Sequence, residues 1–239
     1  MDWDAFFKLH DDLPREGPGA PEDVDWALGQ AGLPSDAVIC DAGSGPGGDI
    51  PALLAHAAQV VAIDTHAPFI DTLNARFADD PRVTGHAGDM AKLADLPQAP
   101  FDAIWCAGAL YFLGVEPGLT LFRPALKPGG VVAFSYPSWF VDAPSQQATD
   151  FWQGFDGVRT PDQIRAQAQA AGFDVLADRP VGDAAWEAYF QPLEARVAVL
   201  RPGADAAMSA VLDENMTEIE TWRQVRRETG YQLVVARLA

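Results

Sequence analysis

The sequence predicts a doubly wound α/β fold, a mostly parallel sheet with helices on both faces. Short apolar runs alternate with helical patterns along most of the chain, and that order places parallel strands between covering helices. The first apolar run ends in a glycine-rich turn, the usual passage from strand to helix in such folds. The chain has 239 residues, 49% of them hydrophobic, enough for one domain around a large core.

Val38-Ile-Cys40 is the first expected strand, followed by the glycine turn and a helix over 50–58. Val60-Val-Ala-Ile63 is the second strand, with a helix over 67–77, and 83–87 the third. Residues 101–106 form the fourth. A helix over 115–126 is expected to stop at Lys127-Pro-Gly-Gly130, with a fifth strand over 131–136. Thr160 and Pro161 open a helix that runs to Ala171, with Gly172 just past its end. A sixth strand covers 173–177 and a seventh 231–238. Two stretches break the alternation. Residues 1–32 contain a turn-rich segment and a short helix near 24–28, and residues 184–228 read as helical. The expected organisation is a single domain over 1–239: an N-terminal lid (1–32), a ligand-binding core (35–180), a helical cap (184–228) and a final strand (229–239). Both outlying stretches are expected to cover the C-terminal edge of the sheet, where ligands of open α/β folds bind.

Sixteen Lys plus Arg face 34 Asp plus Glu, for a net charge of −18. Such a surface repels phosphate backbones and anionic membranes, so neither nucleic acid nor membrane is expected as a partner. The acidic start Met1-Asp-Trp-Asp is unlike a signal peptide, and the longest mostly apolar stretch, 103–115, is shorter than a membrane helix. A cytoplasmic protein is expected. Cys40 and Cys106 each lie in an apolar run, which suggests neither a disulfide nor a ligand pair. His10, His56, His66 and His86 show no metal-ligand spacing, so no metal is expected.

The most informative segment is Val38-Ile-Cys-Asp-Ala-Gly-Ser-Gly-Pro-Gly-Gly48. Gly43 and Gly45 let a ligand approach the backbone, Gly47 or Gly48 lets the helix pack on the strand, and free amides of the helix start face the ligand. The G-x-G-x-x-G spacing alone also suits a nicotinamide dinucleotide. Asp41 discriminates: a carboxylate there is ill placed beside a diphosphate but useful to a ligand with a sulfonium and an ammonium group. Asp64, roughly 20 residues past the loop, stands where a carboxylate meets a ribose diol. Its alternative role is to cap the next helix. Thr65 and His66 extend that side of the site. Gly88, Asp89 and Met90 follow the third strand and could frame an adenine ring, although Gly-Asp is also a common turn.

Taken together, Asp41-Ala-Gly-Ser-Gly-Pro-Gly47, Asp64, Gly88-Asp89 and Leu126-Lys-Pro-Gly-Gly130 resemble the ordered motifs of class I S-adenosylmethionine-dependent methyltransferases over roughly 35–179. The resemblance implies a Rossmann-like, seven-stranded sheet whose C-terminal strand runs antiparallel. The stretches Leu13-Pro-Arg-Glu-Gly-Pro-Gly19, 104–114, 135–140, Phe151-Trp152 and Tyr189-Phe-Gln-Pro-Leu-Glu194 are further similar to bacterial type 11 members. It implies that Asp41, Gly43 and Gly45 meet the methionine end of S-adenosylmethionine, Asp64 the ribose, and Asp89 and Met90 the adenine, with Gly47 also in the cofactor-binding set. Cys106 and Ala107 would border the reacting methyl. Cys-Ala-Gly108 differs from the Asn/Asp-Pro-Pro-aromatic motif of enzymes that methylate bases or glutamine, which points to a small-molecule acceptor.

Methyl transfer of this kind is an in-line displacement in which the protein mainly aligns the reactants. The acceptor pocket is expected beside 106–111 under the two outlying stretches, with Tyr111, Trp139, Trp152, Trp186 and Tyr189 as candidate walls or, equally, as core packing. His10 and Tyr111 are the candidate catalytic groups. Arg15 and Glu16 either close over the ligand or form a surface pair. Two other readings stay open: an NAD-dependent oxidoreductase and a non-catalytic S-adenosylmethionine-binding protein.

Overall fold

The computed structural model describes residues 2–239; Met1, the first residue of the expected lid, lies outside the described residues. Seven strands form one sheet: β1 (Val38–Ala42), β2 (Gln59–Asp64), β3 (Val83–Ala87), β4 (Phe101–Cys106), β5 (Leu126–Trp139), β6 (Phe173–Pro180) and β7 (Thr229–Leu238). Their order is β3-β2-β1-β4-β5-β7-β6. β7 runs antiparallel to both β5 and β6, and the pairs from β3 across to β5 are parallel. The order reverses between β1 and β4, so a crevice opens beyond their C-terminal ends.

Nine α-helices among the described residues flank the sheet: α1 (Trp3–His10), α2 (Pro21–Ala31), α3 (Ile50–Leu53), α4 (Ala67–Arg76), α5 (Val115–Phe122), α6 (Gln146–Phe151), α7 (Pro161–Ala170), α8 (Asp183–Leu200) and α9 (Ala206–Val225). Alternate strand residues enter opposite cores. Ile39, Val60, Ala103, Trp105 and Val235 join α1, α2, α8 and α9 on one face. Cys40, Val61, Ile104, Cys106 and Val234 join α5 and α7 on the other. Burying both faces removes apolar area worth about 25 cal/mol per Å² and explains why the central strands read as continuous apolar runs.

Local chemistry sets the boundaries. In α7 the Thr160 hydroxyl accepts from Gln163 N–H at 3.3 Å, and the Gln163 side chain accepts from Thr160 N–H at 2.9 Å, a reciprocal cap. The helix expected over 50–58 is only α3: the chain turns after Leu53 because Ala58 N–H must reach the Ala37 carbonyl, at 2.8 Å, to enter β2. The helix expected to run to 126 ends at Phe122, where Pro124 tightens the chain into a 3₁₀ turn. Lys127–Gly130 is then the irregular start of β5. Gly129 has φ +72°, the register slips between Phe101 and Ala103, and the Lys127 ammonium sits 2.8 Å from Asp102. Helix α6, capped by Ser145, and helix α1, capped by Asp2, were not anticipated. No described helix is long and apolar enough to cross a membrane.

Candidate functional site

β1 delivers Asp41 to the crevice, and the chain then turns through Gly43 (φ +75°) and Gly45 (φ +52°), a backbone that L side chains rarely adopt. A Cβ on Gly43 would stand 2.4 Å from the Cβ of Ala109, so glycine is required there twice over. Gly43 and Ser44 N–H donate to the Ile63 carbonyl at 2.8 and 3.1 Å, and Gly45 N–H donates to Asp64 at 2.9 Å. The other Asp64 oxygen accepts from His66 N–H at 2.8 Å. Asp64 therefore ties the glycine loop to the start of α4. A carboxylate has about four lone-pair positions, so about two remain free. Gly47 (φ +84°) packs against Ile50 and Leu73, and a Cβ on Gly48 would meet the Pro14 carbonyl at 2.4 Å.

The N-terminal turn lies directly over this loop. A pocket of about 60 Å³ is enclosed by Arg15 to Pro18 from the turn, Asp41 and Gly43 to Gly45 from the loop, Gly48 and Asp49, and Ala107 with Gly108 after β4. Arg15 pairs with Asp49, whose second oxygen accepts the Trp105 indole N–H at 2.9 Å. Glu16 turns the other way and holds the His10 imidazole at 2.7 Å. Arg15 and Glu16 thus form no surface pair. Asp41 is 3% exposed, and one of its oxygens is sealed without a hydrogen-bond partner. Burial pushes its carboxyl well above the usual range, Asp49 and Asp64 push it further, and Arg15 opposes them. A buried, carboxylate-rich pocket of this kind attracts positive charge.

The remaining loop ends converge from the neighbouring strands. Gly88 N–H donates to the Asp64 carbonyl at 2.9 Å, which sets Asp89 and Met90 beside the end of β2. Asp89 is exposed and caps the 3₁₀ turn Met90–Asp95 by accepting from Ala91 N–H at 2.8 Å. Thr65 is exposed, and the His66 ring stacks on Phe7 of α1 with centroids 3.9 Å apart. Cys106, expected to border the site, is fully buried in the α5/α7 core because alternation along β4 turns it away; the pocket is lined by Ala107 and Gly108. No group of three or more His, Cys, Asp or Glu among the described residues is arranged to hold a metal.

Residues 39–130, which span β1 to β4 and enter β5, match the family model described as "Methyltransferase domain". Over these residues the chain is similar to methyltransferase domains. The fold is shared with solved structures. One is an S-adenosylmethionine-dependent methyltransferase from Thiobacillus denitrificans in complex with S-adenosylhomocysteine: TM-score 0.82, 20% identity, 98% of each chain covered. Another, from Geobacter sulfurreducens and in complex with the same molecule, gives TM-score 0.82 and 19% identity over 99% of this chain and 98% of that one. No curated protein matches in sequence.

A second group of side chains lies apart from the glycine loop. His10 is 2% exposed and lies 6.4 Å, centroid to centroid, from Tyr189. Tyr111, on the turn after β4, packs edge-on to Phe155, and burial with the Glu218 charge pushes its phenol up to about 12. Tyr189 and Tyr231 are buried and feel the same Glu218. Trp186, a candidate wall, is core: it stacks on Trp222 at 4.9 Å with 3% exposure. Trp139 lines a separate depression beside α6 with Trp152, away from the glycine loop. Sequence reading named neither Glu218 nor Tyr231, nor the Asp49 link. Glu218 carried one signal: it stands on the same stripe of α9 as Val211, Asn215, Trp222 and Val225, all buried.

Proposed function

We propose that the protein transfers a methyl group from S-adenosylmethionine to a small-molecule acceptor by in-line displacement. The observation that carries this reading is Asp41: a buried carboxylate with an unpartnered oxygen, next to Asp49 and Asp64, in a pocket at the β1/β4 switch point. S-adenosylmethionine supplies a methyl on a sulfonium and an ammonium at its amino-acid end, and both charges suit that pocket. A diphosphate does not, which disfavours the NAD reading. Asp41, with the backbone at Gly43 and Gly45, would hold the methionine end, and the two free lone-pair positions of Asp64 the ribose diol. Thr65 and His66 flank that diol; Gly88, Asp89 and Met90 would border the adenine. Ala107 and Gly108 leave the reacting centre uncrowded.

The N-terminal turn and α1 act as the lid, with 184–228 behind them, and they keep water out of the crevice. Two placed reactants save about 7–11 kcal/mol of barrier, so alignment is the main service required. His10 is oriented by Glu16 and could take a proton from an acceptor that arrives protonated; Tyr111 stands on the acceptor side. The net charge of −18 favours a small acceptor over a nucleic acid.

Calorimetric titration with S-adenosylhomocysteine and with NADH tests the reading. Binding of S-adenosylhomocysteine, with turnover of S-adenosylmethionine in an acceptor screen, is expected. Binding of NADH without any response to S-adenosylhomocysteine overturns it, and cofactor binding without turnover of any acceptor would favour a non-catalytic binder.

A further inference from the structure

The chain leaves β5 at Trp139 and returns to the same strand end at Arg159. Trp139 N–H donates to the Arg159 carbonyl at 2.9 Å, and Arg159 N–H donates to the Pro137 carbonyl at 3.2 Å. Residues 140–158, which include α6, thus form a closed excursion, and between it and the end of β5 lies a cavity of about 330 Å³. A hollow of this size suits a small molecule. Its apolar walls are Trp139, Trp152, Phe155 and Val158, and its charged groups are Asp150 and Asp156; among the described residues no lysine, arginine or histidine lines it. Two of the rings are held in place. The Trp152 indole N–H donates to the Thr229 hydroxyl at 2.6 Å, which donates in turn to the Ser138 carbonyl at 2.9 Å. Phe155 lies edge-on to Tyr111 at 5.7 Å and rests on Gly157, where a Cβ would collide with its ring. The carboxylates are little engaged. Asp150 accepts from the Gln146 side chain at 2.8 Å, and the Asp156 carboxylate has no hydrogen-bond or ion-pair partner among the described residues. Arg159 donates to the Asp156 and Val158 backbone carbonyls at 3.0 Å each, so its guanidinium is turned to the backbone rather than to either carboxylate.

We propose that this cavity is a second ligand site and that it takes a small organic cation, an ammonium group on an apolar or aromatic body. It shares no lining residue with the glycine-loop pocket, and the proposal does not rest on the methyltransferase reading. Aromatic rings cover an apolar body and attract a cation through their negative faces. The two carboxylates of the same cavity set the sign of the charge. Rings that are already held lose little freedom when a ligand arrives. A neutral ligand of the same shape leaves both carboxylates without a partner, and an anion meets them as like charges.

The test titrates the full chain by calorimetry, at physiological ionic strength, with three probes of one skeleton: phenethylamine, 2-phenylethanol and 3-phenylpropanoate. The amine is expected to bind most tightly, the alcohol more weakly and the acid not at all. Asp156→Asn should weaken the amine by roughly fivefold or more and leave the alcohol unchanged, because it removes only charge. Gly157→Ala, which displaces the Phe155 ring, should weaken amine and alcohol alike. Asp41→Asn, in the other acidic pocket, should leave amine affinity unchanged. The net charge of −18 attracts any cation, but with salt screening the loss of one aspartate alters that general attraction little, so the Asp156 effect reads the cavity itself. No amine binding, acid binding as tight as the amine, unchanged amine binding in Asp156→Asn or in folded Gly157→Ala, or loss of amine binding in Asp41→Asn overturns the proposal. The ranking of the probes on wild type and the exposed Asp156 variant stand even if Gly157→Ala does not fold.

Discussion

Arg15 and Asp49 join the N-terminal turn to the residue that follows the glycine loop. Each side chain is 13% exposed, and Asp49 is fixed in turn by the Trp105 indole on β4. The N-terminal turn is therefore clamped to the floor of the pocket by a largely buried ion pair. Arg15→Ala leaves Asp49 beside Asp41 without its counter-charge. The expected loss is about 2–4 kcal/mol of unfolding free energy, measured by urea denaturation, with roughly tenfold weaker S-adenosylhomocysteine binding. Limited proteolysis should then cut in the Leu13–Gly19 turn. Unchanged binding and unchanged proteolysis would show that the clamp has no part in the site.

Asp64 and Asp89 both stand at strand ends, but their surroundings separate them. Asp64 accepts from two backbone amides of different segments, whereas Asp89 caps only its own 3₁₀ turn from an exposed position. Asp64→Ala is expected to cost about 2–3 kcal/mol, because it frees the glycine loop as well as leaving two amides unpaired, and to weaken S-adenosylhomocysteine binding by well over tenfold. Asp89→Ala should cost about 1 kcal/mol and weaken binding only severalfold. Calorimetry on both variants checks the ranking, and equal effects would remove the special role of Asp64.

The sheet was legible because periodicity and turn chemistry are local. Val60-Val-Ala-Ile63 reads as a strand buried on both faces, and Thr160 with Gly172 brackets α7 in the sequence itself. The antiparallel direction of β7 was implied by resemblance alone, since no residue pattern in 231–238 encodes which way a strand runs. The site was half legible. Asp41, Gly43, Gly45 and Asp64 are adjacent to the motif and stand around one loop. The Arg15–Asp49–Trp105 link joins positions 34 and 56 residues apart, which no spacing rule relates. Glu218 bears on the Tyr111 phenol from the last helix, a link that exists only once α9 is folded over the sheet. Trp186 looked like a pocket wall because aromatic residues serve cores and pockets alike.

Trp186 and Trp222 join α8 to α9 through stacked indoles, with Phe190 against the second ring at 5.4 Å. Trp222 is 1% exposed. Trp222→Ala removes this packing and leaves a cavity, at an expected cost of about 3–5 kcal/mol. The glycine loop, which lies apart from this pair, should retain S-adenosylhomocysteine in the variant. Chemical denaturation and calorimetry measure the two effects separately. A loss below about 1 kcal/mol would show that α8 and α9 do not depend on this pair.

Asp41 makes the stability of the free protein depend on pH in a fixed direction. Its folded carboxyl titrates well above the ordinary value of 3.8, through burial first and then through Asp49 and Asp64, with Arg15 opposing. Between the unfolded and folded values the native state binds more protons than the unfolded one. Its stabilising contribution is therefore complete below the unfolded value and declines as pH rises through the folded one. The difference in unfolding free energy between wild type and Asp41→Asn should shift in favour of the variant as pH increases from acid to neutral, because asparagine carries no charge to bury. A positively charged ligand in the pocket favours the ionised carboxylate, so binding should release protons while Asp41 is still protonated. Calorimetry in buffers of different ionisation enthalpy counts them, and Asp41→Asn should abolish that component. A pH-independent difference between the two proteins would mean that Asp41 is not the buried, raised acid that the pocket requires.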